Sequence, residues 1–387
     1  MAGKDKVQLG TTLGGAARQE PFIVVCSEST EHAVVQALDR LLAGEVVALP
    51  TETVYGLAGM ASNPRALESI FEWKSRPVSD PLILHVFDIS KLDKWTQING
   101  LQRDLARRLA ERFWPGPLTM VLEASPDVHP LIRAGRSTVA LRSPSHPFFR
   151  LVLERLNDGV AAPSANVFGH ISPTCAKDVV AEFPDKPLAV FDGGPCEVGI
   201  ESTIVRIPPD GLWRVLRPGV ITDEQIRAAL GTPGQFAMTS ERPVDSGVSQ
   251  DHVLSPGQFV RHYAPHLPTY LLKGQLPTQA VSVVLDDGRH VALKDTVVLD
   301  YGSSLAKLGF RETSCLCYLN PDPNGDLLTF TRQLFAMLRR AEEIRGVKAI
   351  LIHFPDSVQN DWSPAVRDRI RRAASGIEAR LSAQVFA

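Results

Sequence analysis

Cysteine is scarce in this chain and carries no pattern. Cys26, Cys175, Cys196, Cys315 and Cys317 include no Cys-x-x-Cys pair, which argues against a disulfide framework or a four-cysteine zinc site and leaves buried free thiols in a reducing compartment as the expectation. No stretch nears the about eighteen consecutive apolar residues of a membrane span. The first twenty residues hold no apolar core of a secretory signal, so a soluble, cytoplasmic protein with a flexible N-terminal arm over residues 1–20 is expected. Charge is nearly balanced, at −2 overall, and a nucleic acid would find only a local basic patch.

Several signatures of nucleotide and hydrolase chemistry are absent as well. There is no Gly-x-x-x-x-Gly-Lys-Ser/Thr loop, no Gly-x-Gly-x-x-Gly turn after a strand, no His-Glu-x-x-His and no Gly-x-Ser-x-Gly elbow. A P-loop, a dinucleotide fingerprint, a helical zinc site and a serine nucleophile are thereby set aside.

What is present is an alternation of short apolar runs with amphipathic segments. At 387 residues and 44% hydrophobic content the chain can bury two cores. Residues 22–25, 46–49, 82–86, 118–122, 139–142, 160–162, 189–191, 203–206 and 213–216 read as strands, and 32–43, 63–71, 101–113, 147–156 and 175–183 as helices. The second helix carries Asn63 as N-cap and Pro64 at its first position. From Gly231 the texture turns to Gly, Pro, Ser and Gln without periodicity, the mark of a linker. Beyond it, strands at 268–272, 281–285, 297–300 and 349–352 around a helix at 327–345 predict a small doubly wound domain. The expected division is an α/β domain with a twisted mixed sheet over 21–230, a linker over 231–267 and a smaller Rossmann-like α/β domain over 268–387.

The chemistry concentrates in the first domain. The strand at 46–49 delivers the hydroxyl-rich turn Pro50-Thr51-Glu52-Thr53, and Lys74-Ser75-Arg76-Pro77 comes after it within one small unit. Arginine offers a planar fork to phosphate and lysine a mobile point charge; taken alone, the pair reads as well as a solvated helix end. Ala162-Pro163-Ser164-Ala165-Asn166 and Ile171-Ser172-Pro173-Thr174 gather hydroxyl and amide groups that suit a phosphate or nucleoside, or that serve as turn residues and a cap for the next helix. Lys74, Arg76, Arg142 and Arg217 all fall at the ends of predicted elements, so a single cation-lined cleft is expected.

Taken in order, the runs Leu49-Pro50-Thr51-Glu52-Thr53-Val54-Tyr55-Gly56-Leu57, Lys74-x-Arg76-Pro77, Trp114-Pro115-Gly116-Pro117-Leu118-Thr119, Ala162-Pro163-Ser164-Ala165-Asn166, Gly199-Ile200-Glu201-Ser202-Thr203 and Leu216-Arg217-Pro218-Gly219 resemble the YrdC/YciO family. Ser255-Pro256-Gly257-Gln258-Phe259-Val260-Arg261-His262-Tyr263-Ala264-Pro265 is similar to the connector of that family's long, two-domain threonylcarbamoyl-adenylate synthases. The last helix differs, being preceded by Asp361-Trp362-Ser363-Pro364 in place of the usual Gly-rich turn.

The resemblance implies an enzyme that joins L-threonine, bicarbonate or CO2, and ATP into L-threonylcarbamoyladenylate and pyrophosphate. That product feeds threonylcarbamoyl-transferase proteins, which make N6-threonylcarbamoyladenosine beside the tRNA anticodon. Lys74 and Arg76 are the implied catalytic pair on the triphosphate, with Mg2+ at the leaving pyrophosphate and no dedicated metal ligand in the chain. Thr138, Ser164, Asn166, Ser172 and Arg217, with His262 and Tyr263 of the connector, are the implied ATP contacts. Thr51, His85, Arg142, Ser202 and the backbone of Ala162 are the implied L-threonine contacts, Arg142 facing the carboxylate. His85, read alone, is a satisfied core histidine. No general base stands out, so positioning and electrostatics carry the rate.

Carbamates decay in water, so Arg261, His262 and Tyr263 are expected to close over the cleft as a lid, or else to be a packing strip between the domains. Under the lid reading, Tyr263→Ala lowers adenylate formation with little loss of stability. Two other functions compete. An RNA-binding factor, or a direct tRNA contact, would use Arg103, Arg107, Arg108 and Arg112, which Asp104 and Glu111 interrupt. A carbamoyltransferase using carbamoyl phosphate would carry further modules, and none is recognisable here.

Overall fold

Strands whose every position is apolar need cover on both faces, and the first part of the chain supplies it. In the computed structural model, which describes residues 20–26, 30–231, 262–274, 280–285 and 287–383, one sheet of ten strands is seen among those residues. They are β1 (Phe22–Val25), β2 (Val47–Leu49), β3 (Gly56–Met60), β4 (Ile83–His85), β5 (Leu118–Glu123), β6 (Thr138–Arg142), β7 (Val160–Ala161), β8 (Ala189–Asp192), β9 (Thr203–Arg206) and β10 (Arg214–Arg217). Their spatial order is β1-β8-β2-β3-β7-β4-β6-β5-β9-β10. Helices α1 (Thr30–Leu42), α2 (Pro64–Lys74), α3 (Leu92–Trp95), α4 (Gly100–Phe113), α5 (Pro130–Arg133), α6 (Pro147–Leu156), α7 (Ala176–Glu182) and α8 (Asp223–Leu230) cover the sheet. Successive residues of β3 show the two-sided burial: Leu57 belongs to the same buried cluster as Leu67, Ile70 and Leu84, while Ala58 belongs to a separate cluster with Leu49, Phe149 and Phe191.

The pairing brings distant loops to one edge. The β2–β3 hairpin pairs Leu49 with Gly56 and so holds the turn between them. Gly56 bridges to Ser164, and a Cβ at Gly56 would lie 3.1 Å from that of Ala162. Parallel β4 and β6 place His85 beside Arg142, antiparallel β5 sets Thr119 against Arg142, and β5 pairs Leu118 with Thr203.

The predicted strands are present, with shifts of a residue or so at their ends. β3 was not expected, because Gly-Leu-Ala-Gly-Met has little strand propensity and forms only by pairing with β2 and β7. Asn63 caps α2 as expected, accepting from the Ala66 N–H, but the helix runs on to Lys74.

A second sheet holds β11 (Thr269–Leu272), β12 (Ser282–Leu285), β13 (His290–Ala292), β14 (Thr296–Asp300), β15 (Cys317–Leu319), β16 (Ala349–His353) and β17 (Glu378–Ser382), in the order β13-β12-β17-β11-β16-β14-β15. The four neighbours β11, β16, β14 and β15 are parallel, and α9 (Ser304–Lys307), α10 (Leu327–Glu343) and α11 (Ser363–Ala373) accompany them. The architecture is therefore mixed α/β with two sheets. All five cysteines are free thiols, three of them buried.

The two halves share an apolar core. Val54, Ile171 and Ile200 from the first sheet's loops pack with Tyr263 and with Leu334, Phe335, Val366 and Ile370 of α10 and α11. Each such buried side chain contributes about 1.5–3 kcal/mol of transfer free energy, so apolar contact as well as charge holds the halves together. Backbones approach closely at Gly199, whose φ is +78° and whose Cβ, if present, would sit 2.4 Å from the Arg332 carbonyl oxygen. Only glycine satisfies both the left-handed backbone and that contact. The ring of His170 completes the seam, its two nitrogens facing Glu182 and, at 3.1 Å, Glu342 of α10.

Candidate active site

The ends of β2, β4, β6 and β10 and the loops after β7 and before β9 meet at a small cavity of about 40 Å³. Its walls include Thr51, Arg76, His85, Arg142, Ala162, Ser164, Arg217 and His262, all predicted contacts, together with Thr53 and Glu201. The expected clustering of cations from separate element ends is realised for Arg76, Arg142 and Arg217. Lys74, Asn166, Ser172, Ser202 and Tyr263 stand just behind the wall, within hydrogen-bond or ring contact of residues that form it or its loops. Thr138 opens β6 at the end opposite Arg142 and does not line the cavity. Arg261 lies outside the described residues.

Lys74 and Arg76 are not a solvated helix end. Ser75 adopts a left-handed backbone, φ 50°, and its N–H and that of Arg76 close the last turn of α2 onto Glu72 and Phe71. Both cations turn inward as a result. Lys74 is 1% exposed and its ammonium donates to the carbonyls of Ser164 and Asn166, each at 2.5 Å. Burial, and then the Arg76 charge, pulls its pKa well below the ordinary value. Arg76 pairs with buried Asp80 at 2.9 Å and donates to the carbonyls of Asp80 and Pro81.

Arg142 forms an ion pair with Glu52 at 2.7 Å, both nearly fully buried, and donates to the Gly116 carbonyl at 3.3 Å. The Trp114–Thr119 run thus acts as a support: Gly116 holds Arg142, and the Thr119 hydroxyl meets that of Ser202 at 2.7 Å. Arg217 donates to the carbonyl and hydroxyl of Ser202 at 3.0 and 3.1 Å. A register shift between Val215 and Arg217, a bulge, places Arg217 inside β10 and not after it as the sequence suggests.

His85 is buried in its strand as a core histidine would be, but it is not sealed from the site. It lines the cavity, and its Nδ1 has no hydrogen-bond partner among the described residues. Burial, reinforced by Arg142, lowers its pKa to about 3, so the ring is neutral at physiological pH. His262 is held neutral likewise, first by burial and then by Arg76.

The described connector residues pack between the two halves and also reach the cavity. His262 reaches the cavity, while Tyr263, at φ 60° and fully buried, sets its ring edge-on to His262 and against Phe335 of α10. The expectation that Tyr263→Ala spares stability is therefore reversed. Alanine empties a shared core, so the unfolding midpoint falls together with turnover. A thermal melt beside the turnover assay checks it, and an unchanged midpoint would count against this packing.

Three carboxylates next to the cavity were not foreseen as site residues: Glu52, Asp80 and Glu201. Glu52 and Glu201 lie inside the motifs and Asp80 four residues past Arg76, so each had a local signal. Arg369, which reaches Glu201 from α11, had none. All three carboxylates carry cationic partners, and no cluster of three potential metal-ligating side chains exists among the described residues. A larger cavity of about 640 Å³ lies between β10 and α11, where Arg367 and Lys273 are paired with Asp356 and Arg372 with Asp368. It contains none of the predicted residues. On α4, Arg103 and Arg107 pair with Asp93 and Glu111 at the surface, and Arg108 donates to the Leu230 carbonyl.

Fold and site define a two-part α/β protein that buries a cation-lined cleft at the strand ends of its first sheet. Residues 39–219 match the Sua5, YciO and YrdC family, described as telomere recombination, and residues 221–375 match the threonylcarbamoyl-AMP synthase C-terminal domain. The chain is 40% identical to threonylcarbamoyl-AMP synthase of Bacillus subtilis over 92% of its own length and 97% of the relative's. It is 38% identical to the Pyrococcus abyssi enzyme of the same name over 60% of its length and 65% of the relative's. The crystal structure of P. abyssi Sua5 complexed with L-threonine superposes with a TM-score of 0.75 at 29% identity, covering 92% of this chain and 98% of that one. The chain belongs to the two-domain threonylcarbamoyl-AMP synthase family.

Proposed function

We infer that this chain is an enzyme that condenses L-threonine, bicarbonate or CO2, and ATP into L-threonylcarbamoyladenylate, releasing pyrophosphate. One observation carries the reading from the structure: a single small cavity is lined at once by Arg76, Arg142 and Arg217 and by neutral His85. Threonine's amine adds to CO2 and loses a proton to give the carbamate. A carbamate oxygen then forms a bond to the α-phosphorus while the bond to pyrophosphate breaks.

We propose that the work divides by side of the cavity. Arg142 holds the threonine carboxylate as a fork, with Glu52 fixing its orientation. His85, unable to carry charge here, hydrogen-bonds the substrate and leaves the amine as a free base. Arg76, Arg217 and, from behind the wall, Lys74 stabilise the triphosphate, with Ser164, Asn166, Ser172 and Tyr263 around the nucleotide and Thr51, Ser202 and the Ala162 backbone around threonine. The carboxylates beside the cavity are all paired with cations, so Mg2+ would be held by the nucleotide's own phosphates and would there offset the charge of pyrophosphate. A cavity of about 40 Å³ is too small for ATP, since sites for such ligands measure about 300–1,000 Å³. His262 and Tyr263 must therefore move aside for entry and return to exclude water. The division into residues 21–230 and 268–387, transfer of the product to a threonylcarbamoyl-transferase acting on tRNA, and a cytoplasmic location belong to the same proposal. No described helix is long and apolar enough to cross a membrane.

Pyrophosphate release from ATP with Mg2+ and bicarbonate tests the reading. Release should require L-threonine, and L-serine, L-valine or no amino acid should give little. Release that ignores threonine would sink it in favour of RNA binding or carbamoyl-phosphate chemistry.

A further inference from the structure

Glu201 presents a difficulty for any anion-binding reading of the cavity, because it puts a carboxylate on the wall that must face a triphosphate. The answer comes from the other half of the molecule. Arg369 of α11 is fully buried, and its Nε donates to Glu201 Oε2 at 2.9 Å and its Nη2 to the Glu201 carbonyl at 3.2 Å. Its Nη1 donates to the Pro218 carbonyl and to Asp368, each at 2.8 Å. The guanidinium lies 5.3 Å from the centre of the Tyr263 ring. The second oxygen of Glu201 accepts from the Ser172 hydroxyl.

One side chain of the second sheet's unit thus ties together the two loops that carry Ser202 and Arg217, and supplies the counter-charge to the one acidic group on the cleft wall beside Arg217. Burial works against this cation, yet Tyr263, Glu201 and Asp368 together raise its pKa above the ordinary value, so it stays charged. Asp368 also receives Arg372 at 2.9 Å, which leaves Glu201 with Arg369 as its ion-pair partner among the described residues.

We propose that Arg369 is a positioning residue for the nucleotide half of the reaction: it neutralises and orients Glu201, so that the C-terminal unit completes the charge balance of the active site. The proposal rests on the synthase reading for the identity of the anion, a nucleoside triphosphate. It does not require Arg369 to touch substrate. An arginine that only fastened the two halves together would make the same contacts, but the two roles predict opposite effects when Glu201 is the partner removed. If the bridge is merely a fastener, cutting it from either end loosens the cleft and weakens nucleotide binding. If charge is what matters, removing the cation exposes a bare carboxylate to the phosphates, while removing the carboxylate leaves an extra cation for them.

The test is equilibrium binding of α,β-methylene-ATP with Mg2+ to the full-length chain, in wild type, Arg369→Gln, Glu201→Gln and the double variant, with melting midpoints recorded beside it. Glutamine at 369 keeps a donor without the charge. We expect Arg369→Gln to raise the Kd at least tenfold, Glu201→Gln to lower it about threefold, and the double variant to return within about threefold of wild type. Weakened binding in both single variants, with a double variant no better than the poorer of them, would overturn the proposal. Should Arg369→Gln fail to fold, Glu201→Gln decides alone: a raised Kd refutes charge balance and a lowered one supports it. The analogue releases no pyrophosphate, so this result is independent of the threonine-dependent release that tests the synthase reading.

Discussion

Replacing Lys74 by methionine is expected to reduce threonine-dependent pyrophosphate release by roughly a hundredfold or more, a loss that comes from removing a buried ammonium that holds the cavity-wall loop. The residue is the last of α2, 1% exposed, and two of its three ammonium protons go to the carbonyls of Ser164 and Asn166. Methionine matches the stem but leaves both carbonyls without that donor, each such loss costing about 1–3 kcal/mol. The loop concerned is otherwise held by the Tyr55 carbonyl through the Ala165 N–H and by the Lys74 carbonyl through the Phe168 N–H. It would remain attached, with Ser164 displaced from the cavity wall. The same change removes a group electrostatically coupled to Arg76. Turnover and melting midpoint should both fall, and near-normal turnover would show that this cation serves neither loop nor phosphate.

Arg142→Met is expected to raise the KM for L-threonine at least a hundredfold through loss of the fork that faces the carboxylate, and to cost about 3–5 kcal/mol of stability because it breaks a buried pair. Glu52 would be left nearly fully buried, with one oxygen accepting from the Ser145 N–H and the other facing no cation. Stability must drop too, so the informative comparison is the pair Glu52→Gln with Arg142→Met. Removing both charges should recover most of the melting midpoint, because the uncompensated carboxylate is gone, while leaving threonine affinity as poor as in the single variant. Recovery of threonine KM in the double variant would mean that Arg142 only shields Glu52 and does not hold substrate. Arg142→Lys should behave as a partial loss, since an ammonium cannot form the fork.

The ability to read this site in advance varied with the range of the interactions. Asn63 and Pro64 start a helix through contacts within a single turn, and α2 begins where those two residues place it. The strands at 82–86 and 139–142 declared themselves through short apolar runs, and their pairing set His85 beside Arg142. β3 escaped because its glycines carry no strand preference; Gly59 is there because α2 packs against it, with Ala66 and Ile70 atoms 3.1 Å from where its Cβ would be. The bulge at Arg217 was equally silent, being a mismatch between two strands and not a property of either.

Local order therefore settled the alternation of strands and helices, the caps, and the motifs that bring hydroxyls and cations to the ends of elements. Those depend on hydrogen bonds and steric limits among residues a few positions apart. The charge state and partnering of the same groups needed the folded chain. Lys74 turns inward because Ser75 closes α2 with a left-handed turn, His85 is neutral because burial and Arg142 both oppose its proton, and Glu201 is balanced by an arginine 168 residues away. Desolvation and Coulomb energy depend on distance in space and on what excludes water, and neither is a function of spacing along the chain.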